Sequence, residues 1–319
     1  EGFKEKDNGV EVLLKDNPSL QADMVVLAIG VTPDTVLAKE AGLELGIKES
    51  IVVNDRMETS VPDIYAAGDA VQVKHYVTGN DALISLAGPA NKQGRIIADN
   101  ICGGDSRYLG SQGSSVIKVF DMTAATTGIN ETNAKKSGLE VDTVILSPMS
   151  HAGYYPGGKV MTMKVVFEKE TYRLLGAQII GYEGVDKRID VLATAIHAGL
   201  NATQLKDLDL AYAPPYSSAK DPVNMAGFMI DNIAKGTLKQ WHLEDMDKIS
   251  KDKDVVLLDV RTVGEFSRGH IDGFKNIPVD ELRERISEIE KGKPVYLICQ
   301  SGLRSYIASR ILEGNGYET

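Results

Sequence analysis

Residues 295–304 constrain the fold most, because they place a cysteine between a predicted strand and a predicted helix. The short apolar run Val295 to Ile298 is typical of a buried strand, and a helix is predicted to begin near Leu303. The backbone N–H groups of such a loop point toward its centre, and the helix N-terminus adds positive potential. These groups stabilise a thiolate or a persulfide at Cys299, so its pKa is expected to be low. A buried, inert cysteine is the alternative interpretation.

Further motifs precede this loop in a fixed order. Four polar residues stand out in them, namely Asp259, Arg261, Glu265 and His270. The motifs and the cysteine loop together resemble a rhodanese domain, and the resemblance covers about Val255 to Thr319. It implies an α/β fold for this region, and the pattern would require one more strand after Thr319.

The resemblance also implies roles for the residues of this region. Cys299 is expected to be the catalytic persulfide carrier. The persulfide loop continues through the five residues that follow it, which are Gln300, Ser301, Gly302, Leu303 and Arg304. The four upstream polar residues are expected to form the framework that holds the loops around the cysteine. His270 is interpreted as a structural histidine, and a role as a base stays open.

Length and composition set the broad class of the chain. Its 319 residues predict two or three domains, and 43% hydrophobic with 25% charged residues is typical of a globular protein. The 35 basic and 45 acidic residues give a net charge of -10, which argues against nonspecific binding of nucleic acid. No apolar run approaches the length of a membrane span, so no membrane partner is predicted.

The two cysteines, Cys102 and Cys299, are too few for a disulfide framework. This count predicts a reducing compartment and a cytoplasmic location. Cys102 stands at a predicted helix end, where packing is its expected role, and we assign it no catalytic function.

The first hundred residues contain a pattern typical of a flavin-binding domain. The apolar run Met24 to Ile29 predicts a strand of a covered parallel sheet, and a second predicted strand ends in Gly68 and Asp69. A carboxylate at a strand end suits cofactor binding in an open α/β sheet. The following helix begins with small residues and a proline, in the run Ala87, Gly88, Pro89 and Ala90.

This run resembles the second flavin-binding motif of FAD-dependent pyridine nucleotide-disulfide oxidoreductases. The resemblance implies that Asp69 binds the ribityl region of FAD beside Gly68, and that residues 87–90 are further cofactor contacts. No G-x-G-x-x-G fingerprint for FAD or NAD(P)H follows a strand in this sequence. The chain also begins at Glu1 inside a predicted strand pair. We interpret it as an internal piece of a longer protein, and expect it to bind flavin poorly by itself.

Residues 113–235 form a third predicted unit of strands and helices. Strands are expected near residues 116–120, 142–147, 160–167 and 174–180, and an amphipathic helix is expected at residues 186–198. This order resembles the dimerisation domain of the same oxidoreductase family. It implies a homodimer whose active site is shared between subunits.

Two tyrosine-rich loops stand out in this unit, and glycine and proline mark both as loops. The second loop lacks the His-Pro pair of the glutathione-reductase branch, and it resembles the coenzyme A-disulfide reductase branch instead. The resemblance assigns Tyr154 and Tyr212 as catalytic tyrosines donated by the other subunit, with Tyr155 and Tyr216 as possible substitutes. A role of these tyrosines in covering a dimer interface stays open.

The complete arrangement resembles coenzyme A-disulfide reductase/rhodanese fusions, also described as NADH-dependent persulfide reductases. It implies FAD and NAD(P)H as cofactors, and coenzyme A disulfide, coenzyme A persulfide or polysulfide as substrate. A redox cysteine would precede Glu1. Lys187, Arg188 or Lys220 could attract the anionic coenzyme A, although a solvated surface is the simpler interpretation. The alternatives are a stand-alone sulfurtransferase, a sulfur sensor or interaction module, and a water-forming NADH oxidase.

The predicted fold class is therefore a multidomain chain of α/β and α+β type. It combines a partial Rossmann-like domain for FAD and NAD(P), an α+β dimerisation domain and a C-terminal α/β rhodanese domain. The predicted boundaries are 1–24 for the end of the NAD(P)H-binding domain, 25–110 for part of the FAD-binding domain, 111–238 for the dimerisation domain and 239–319 for a rhodanese domain that is C-terminally truncated.

Overall fold

The computed structural model describes residues 2–319, so Glu1 of the predicted segment 1–24 lies outside the described residues. The chain divides into two compact units. One comprises the residues up to Gln72 together with Ala87–Tyr108, and the other comprises Val73–Leu86 and Leu109–Thr319. Within residues 2–319, no helix combines the length and the apolar character that crossing a lipid bilayer requires.

Three short antiparallel strands begin the first unit and pair in the order β1-β2-β3. They comprise Gly2–Lys6, Gly9–Leu13 and Leu20–Ala22. Gly9 has a φ of 124°, and a Cβ atom there would lie 2.5 Å from the carbonyl oxygen of Ala22. Glycine is needed at this position because a larger residue would collide with the backbone of the neighbouring strand.

Two strands predicted for this unit are wrong. Residues 24–29 have no regular structure, and Ile29 is 89% exposed. Residues 64–67 are not a strand either, since Tyr65 forms only an isolated bridge with Glu58. An apolar run becomes a strand only when a neighbouring strand pairs with its backbone N–H and C=O groups. No strand within residues 2–319 pairs with residues 24–29.

A helix of fifteen residues is the longest element of this unit. This helix is α2, Ala87–Ile101, and it follows the short helix α1, Val36–Glu40, and the short strand β4, Ile51–Val52. Asn100 is buried near the end of α2, and its amide donates to the carbonyls of Arg56 at 3.1 Å and Ser106 at 2.9 Å. Cys102 follows this helix and is exposed, so the packing role predicted for it is wrong.

An antiparallel sheet of five strands, in the order β7-β8-β11-β10-β9, dominates the second unit. The strands β5 to β11 comprise Val71–Lys74, Asp81–Ala82, Ser115–Val119, Met122–Gly128, Val141–Leu146, Thr162–Glu168 and Leu174–Gly181. The helices α3 to α5 comprise Glu131–Lys136, Val185–His197 and Pro222–Ala234.

Helix α4 packs against β8 and β11 with the apolar face that its periodicity predicts. Ile189, Leu192 and Ile196 are all buried in that contact. The helix and the four strands predicted here are confirmed to within two residues. Strand β8 was not predicted, because its sequence Met-Thr-Ala-Ala-Thr-Thr-Gly lacks the large apolar residues that mark a strand. Helix α5 was also not predicted.

Two glycines allow the backbones of β8 and β11 to lie close together where a side chain would not fit. Gly128 and Gly176 face each other across these strands, and a Cβ atom at Gly176 would lie 2.1 Å from the carbonyl oxygen of Ile129. We expect Gly176→Ala to lower the free energy of unfolding by about 1–3 kcal/mol, because the backbone must shift. Urea unfolding would measure the change. Gly153→Ala, where a Cβ atom meets open space, is the control, and equal losses in both variants would contradict the steric explanation.

A small parallel sheet in the order β13-β12-β14 forms the core of the last part of the chain. The strands β12 to β14 comprise Val256–Asp259, Lys275–Asn276 and Val295–Ile298. The helices α6 to α8 comprise Met246–Ile249, Val263–Arg268 and Leu303–Gly314. The predicted strand, cysteine loop and helix are confirmed, and Leu258, Val260 and Leu312 are buried between sheet and helix.

The segment before this small sheet is held from both sides. Gln240 and His242 reach back to Asp142 at the start of β9, at 3.0 Å and 2.9 Å from its Oδ1. Trp241 points the other way, and its Nε1 donates to the carbonyl of Leu297 at 3.1 Å. This alternation is the side-chain pattern of extended backbone. These hydrogen bonds connect β14, which directly precedes Cys299, to the five-stranded sheet.

Candidate functional site

Cys299 lies directly after β14, in a loop whose polar groups point at its sulfur. The backbone N–H of Gly302 and the hydroxyl of Ser305 each donate to Cys299 Sγ at 3.1 Å. Gly302 has a φ of 94°, a conformation that glycine adopts without steric cost. The loop therefore presents hydrogen-bond donors on the side where negative charge on sulfur would lie.

Two opposing effects determine the pKa of Cys299. Burial raises it, because a thiolate loses more hydration than a thiol. Hydrogen bonds from the hydroxyl and backbone N–H of Ser305, and from the N–H groups of Ser301 and Gly302, lower it and outweigh burial. The pKa of Cys299 consequently lies below the ordinary thiol value, so a larger thiolate fraction is present near neutral pH.

Ser305 was not identified from the sequence, and its contribution to the thiolate can be tested separately. We expect Ser305→Ala to raise the pKa of Cys299, because the largest of the hydrogen bonds that lower it is removed. The rate of iodoacetamide alkylation increases as the thiolate forms, so its pH profile should move to higher pH. Ser309→Ala, on the same helix but bonded to the Tyr306 carbonyl, is the control. Coincident profiles would contradict a role for the Ser305 hydroxyl.

Arg304 anchors the beginning of α8 to α7. Its two terminal nitrogens donate to the two carboxylate oxygens of Glu265, both at 2.7 Å. Arg304, together with hydrogen bonds from Thr262, holds the pKa of Glu265 far below its usual range. The guanidinium is thus occupied by a carboxylate on the neighbouring helix, in a bidentate geometry that restricts the cysteine loop.

The other predicted framework residues lie around the end of β12. Asp259 is buried and accepts hydrogen bonds from Arg261, whose Nη2 also donates to the carbonyl of Gly269 at 2.9 Å. His270 is exposed and stacks on Phe266 with ring centroids 3.9 Å apart. Its Nδ1 also lies 3.0 Å from the Phe266 carbonyl oxygen, which supports the structural interpretation of His270.

The structure brings Tyr154 and Tyr212 together although they lie on different loops. Their hydroxyl oxygens are 2.6 Å apart, and both side chains are accessible, with 76% and 44% of their surfaces exposed. The hydrogen bond with Tyr154 is the largest cause that raises the pKa of Tyr212, and partial desolvation raises it further. One phenol donates to the other, so the accepting phenol keeps its own O–H free for an external acceptor.

The neighbouring tyrosines have different surroundings. Tyr155 packs edge-on against the buried ring of His151, with centroids 5.6 Å apart. Tyr216 is 72% exposed and lines a cavity of about 500 Å³ together with Tyr212 and Lys187. Neither residue takes part in the phenol pair.

The three predicted basic residues differ in their surroundings. Lys187 is near the surface, and Lys220 is exposed. Arg188 is only 1% exposed, so the solvated surface predicted for it is wrong. The prediction failed because the buried carboxylate that pairs with Arg188, Asp221, lies 33 residues away in the sequence.

The predicted flavin contacts of the first unit lie together. Gly68 has a φ of 84°, its N–H donates to the buried Gln93 side chain at 2.7 Å, and a Cβ atom there would touch Ala90. Asp69 is exposed beside it, and a Cβ atom at Gly88 would meet open space. A carboxylate next to an uncrowded helix N-terminus fits part of a flavin site. Among residues 2–319, no three His, Cys, Asp or Glu side chains group closely enough to hold a metal ion.

Sequence comparison matches three parts of the chain to known families. The pyridine nucleotide-disulphide oxidoreductase family matches residues 1–94, its dimerisation domain matches residues 114–222, and a rhodanese-like domain matches residues 242–319. The chain therefore belongs to the pyridine nucleotide-disulphide oxidoreductase family and carries a rhodanese-like domain. The predicted multidomain α/β and α+β fold is confirmed.

Several known proteins are similar to this chain. Reduced CoADR-RHD of Bacillus anthracis is 48% identical, with a TM-score of 0.94 over 98% of this chain and 56% of that one. A NAD-dependent persulfide reductase from A. fulgidus is 41% identical, with a TM-score of 0.90 over 100% of this chain and 57% of that one. The NAD(P)H sulfur oxidoreductase (CoA-dependent) of Pyrococcus furiosus is 39% identical over 214 residues, which are 67% of this chain and 48% of that protein. The chain spans about half the length of the curated relatives it matches.

Proposed function

We propose that this chain belongs to an FAD-dependent NAD(P)H oxidoreductase that reduces coenzyme A disulfide, coenzyme A persulfide or polysulfide. We further propose that Cys299 carries sulfane sulfur for this reaction. The observation that carries the proposal is the pair of hydrogen bonds from Gly302 and Ser305 to the Cys299 sulfur. The names of the similar sulfur oxidoreductase and persulfide reductase support it.

The sulfur-transfer step requires a thiolate and a leaving group. The Cys299 thiolate attacks the terminal sulfur of a persulfide or of thiosulfate, forming a new S–S bond. The original S–S bond breaks, and its electron pair leaves with a thiolate or with sulfite. The N–H and O–H groups around Cys299 then stabilise the terminal anionic sulfur of the new persulfide, as they stabilise the thiolate before the reaction.

The reduction step requires a proton donor near a departing sulfur anion. When an attacking thiolate cleaves a disulfide, one sulfur joins the attacker and the other leaves as a thiolate. The free O–H of the pair formed by Tyr154 and Tyr212 can donate to that thiolate. A phenol is protonated near neutral pH because its ordinary pKa is about 10, and the hydrogen bond with Tyr154 raises the pKa of Tyr212 further. NAD(P)H is the ultimate reductant, and bound FAD would supply the two-electron chemistry that links it to a thiol.

We propose that the tyrosine pair acts in the active site of a second subunit. The edge strand β7 of the dimerisation domain leaves Val116, Ile117 and Val119 more than half exposed. The next residue, Phe120, is 94% exposed. An unpaired edge with apolar side chains favours association, and a two-fold mate would cover it. A cytoplasmic location is proposed with this function, and both cysteines are free thiols.

Anaerobic NADH oxidation by the flavin-loaded enzyme tests the proposal. Coenzyme A disulfide and polysulfide serve as separate substrates, and native enzyme is compared with Cys299→Ser. We expect the native enzyme to turn over both substrates, and Cys299→Ser to lose turnover of polysulfide alone, because only that substrate needs a sulfur carrier.

Each other outcome has a defined meaning. Unchanged turnover of both substrates by Cys299→Ser would remove Cys299 from the reductase pathway and favour an independent sulfurtransferase or sensor. Absence of anaerobic turnover in the native enzyme would contradict the reductase proposal. Oxygen consumption by that same enzyme would then favour an oxidase.

A further inference from the structure

Arg188 joins the two tyrosine loops through a buried network. From α4 its Nη2 donates to the carbonyl of Ser150 at 2.9 Å, at the start of the first loop. The same nitrogen donates to the carbonyl of Tyr216 at 3.3 Å and to the hydroxyl of Ser217 at 3.1 Å, at the end of the second. A single guanidinium therefore contacts both loops.

Asp221 completes this network and connects it to α5. Its Oδ2 accepts from Arg188 Nη2 at 3.0 Å and from the hydroxyl of Ser217 at 2.6 Å. Its Oδ1 accepts from the N–H of Val223 and caps α5. Both charged side chains are at least 96% buried. Such a pair persists only with most of its hydrogen-bonding groups satisfied, which makes its geometry rigid.

The loops also bond to each other directly. The N–H of Ala152 donates to the carbonyl of Ser217 at 3.0 Å. Tyr154 lies inside the turn closed by Ala152 and Tyr155, and Tyr212 immediately precedes the turn closed by Ala213 and Tyr216. Tyr154 thus lies two residues from Ala152 and Tyr212 four residues from Tyr216, and the network holds a backbone group of each of these residues.

We propose that Arg188 is a positioning residue that sets the hydrogen-bond distance between Tyr154 and Tyr212. This inference rests on the proposed function only for its catalytic consequence. The strength of a hydrogen bond falls steeply with distance and angle, and a displacement of about 1 Å can reduce turnover by about a hundredfold. A network that fixes both loops thereby holds the phenol donor where the sulfur anion forms.

Two variants separate positioning from folding. Arg188→Met combined with Asp221→Asn removes both buried charges, so neither is left unpaired. Ser217→Ala removes one hydroxyl from the network and leaves the ion pair in place. Arg173→Met is the control, because Arg173 lies in the connection between β10 and β11 and its guanidinium donates to the Val77 carbonyl, outside this network.

Two measurements in the flavin-loaded enzyme test the proposal. The ionisation of Tyr212 is followed by NMR of tyrosine labelled with ¹³C at Cζ, with Tyr212→Phe to assign the resonance. We expect the pKa of Tyr212 to fall toward the ordinary phenol value in the double variant. We also expect kcat for coenzyme A disulfide to fall by about ten- to a hundredfold, with the KM for NADH unchanged. Ser217→Ala should change both quantities in the same direction by less.

The outcomes distinguish this proposal from the proposed function. A folded double variant with the native Tyr212 titration and native kcat would overturn the positioning role. If the double variant does not fold, unchanged titration and kcat in Ser217→Ala would overturn it instead. If the native enzyme reduces no disulfide while the Tyr212 titration still shifts in the variants, the positioning role stands and the reductase function fails.

Discussion

Replacing Cys299 with serine is expected to abolish sulfur transfer from thiosulfate to cyanide, with a loss of about a thousandfold or more. Serine keeps the size of the side chain but cannot form a stable alkoxide at neutral pH, so it neither attacks the outer sulfur nor stores it. The rate of thiocyanate formation measures the transfer. Mass spectrometry should show one added sulfur atom on the native chain after thiosulfate treatment.

Cys102→Ser is the matched control for this prediction, because it removes the other thiol, which is exposed at the end of α2. We expect native transfer in this variant. A sulfur adduct that persists in Cys299→Ser and disappears in Cys102→Ser would show that Cys102 carries the sulfur. This result would contradict our interpretation of the Cys299 loop.

Tyr212→Phe is expected to lower kcat for reduction of coenzyme A disulfide by about a hundredfold. The substitution removes one hydroxyl from the pair with Tyr154 and leaves the ring in place, so packing is almost unchanged. The departing thiolate would then face a single phenol that has lost its hydrogen-bond partner. Steady-state oxidation of NADH by the flavin-loaded enzyme measures the effect. The alkaline limb of the pH profile of kcat should also change, because Tyr212 no longer titrates.

Tyr154→Phe and the double variant show whether the two phenols act together. Since one hydroxyl donates to the other, the double variant should be little worse than either single variant. Tyr182→Phe, at a tyrosine that is 48% exposed, is the control for loss of a phenol elsewhere. Independent, multiplying effects of the two single variants would contradict a shared role.

The sequence predicted the cysteine site well because its signals are local. A short apolar strand, a cysteine, a glycine and a helix follow one another between Val295 and Leu303, and the structure has these elements in this order. Ser305 was missed although it lies only six residues after the cysteine. Its role depends on the first turn of α8, which directs its hydroxyl toward the sulfur.

The flavin region shows where an apolar pattern misleads. Residues 24–29 have the composition of a buried strand, yet all six are irregular in the structure and five of them are exposed. Hydrophobicity indicates which side chains of a segment favour burial, and it carries no information about whether a pairing strand is available. Strand β8 shows the reverse, since small residues form a central strand because neighbours pair with it on both sides.

By itself the sequence determined the order of the regions and the chemistry of residues whose neighbours are close along the chain. Only the tertiary structure decided that Tyr154 and Tyr212 meet, that Arg188 is buried, and that Asp221 balances its charge. The physical reason is that backbone propensity and periodicity act over a few residues. Burial and pairing of polar groups depend instead on segments that folding brings together from distant positions.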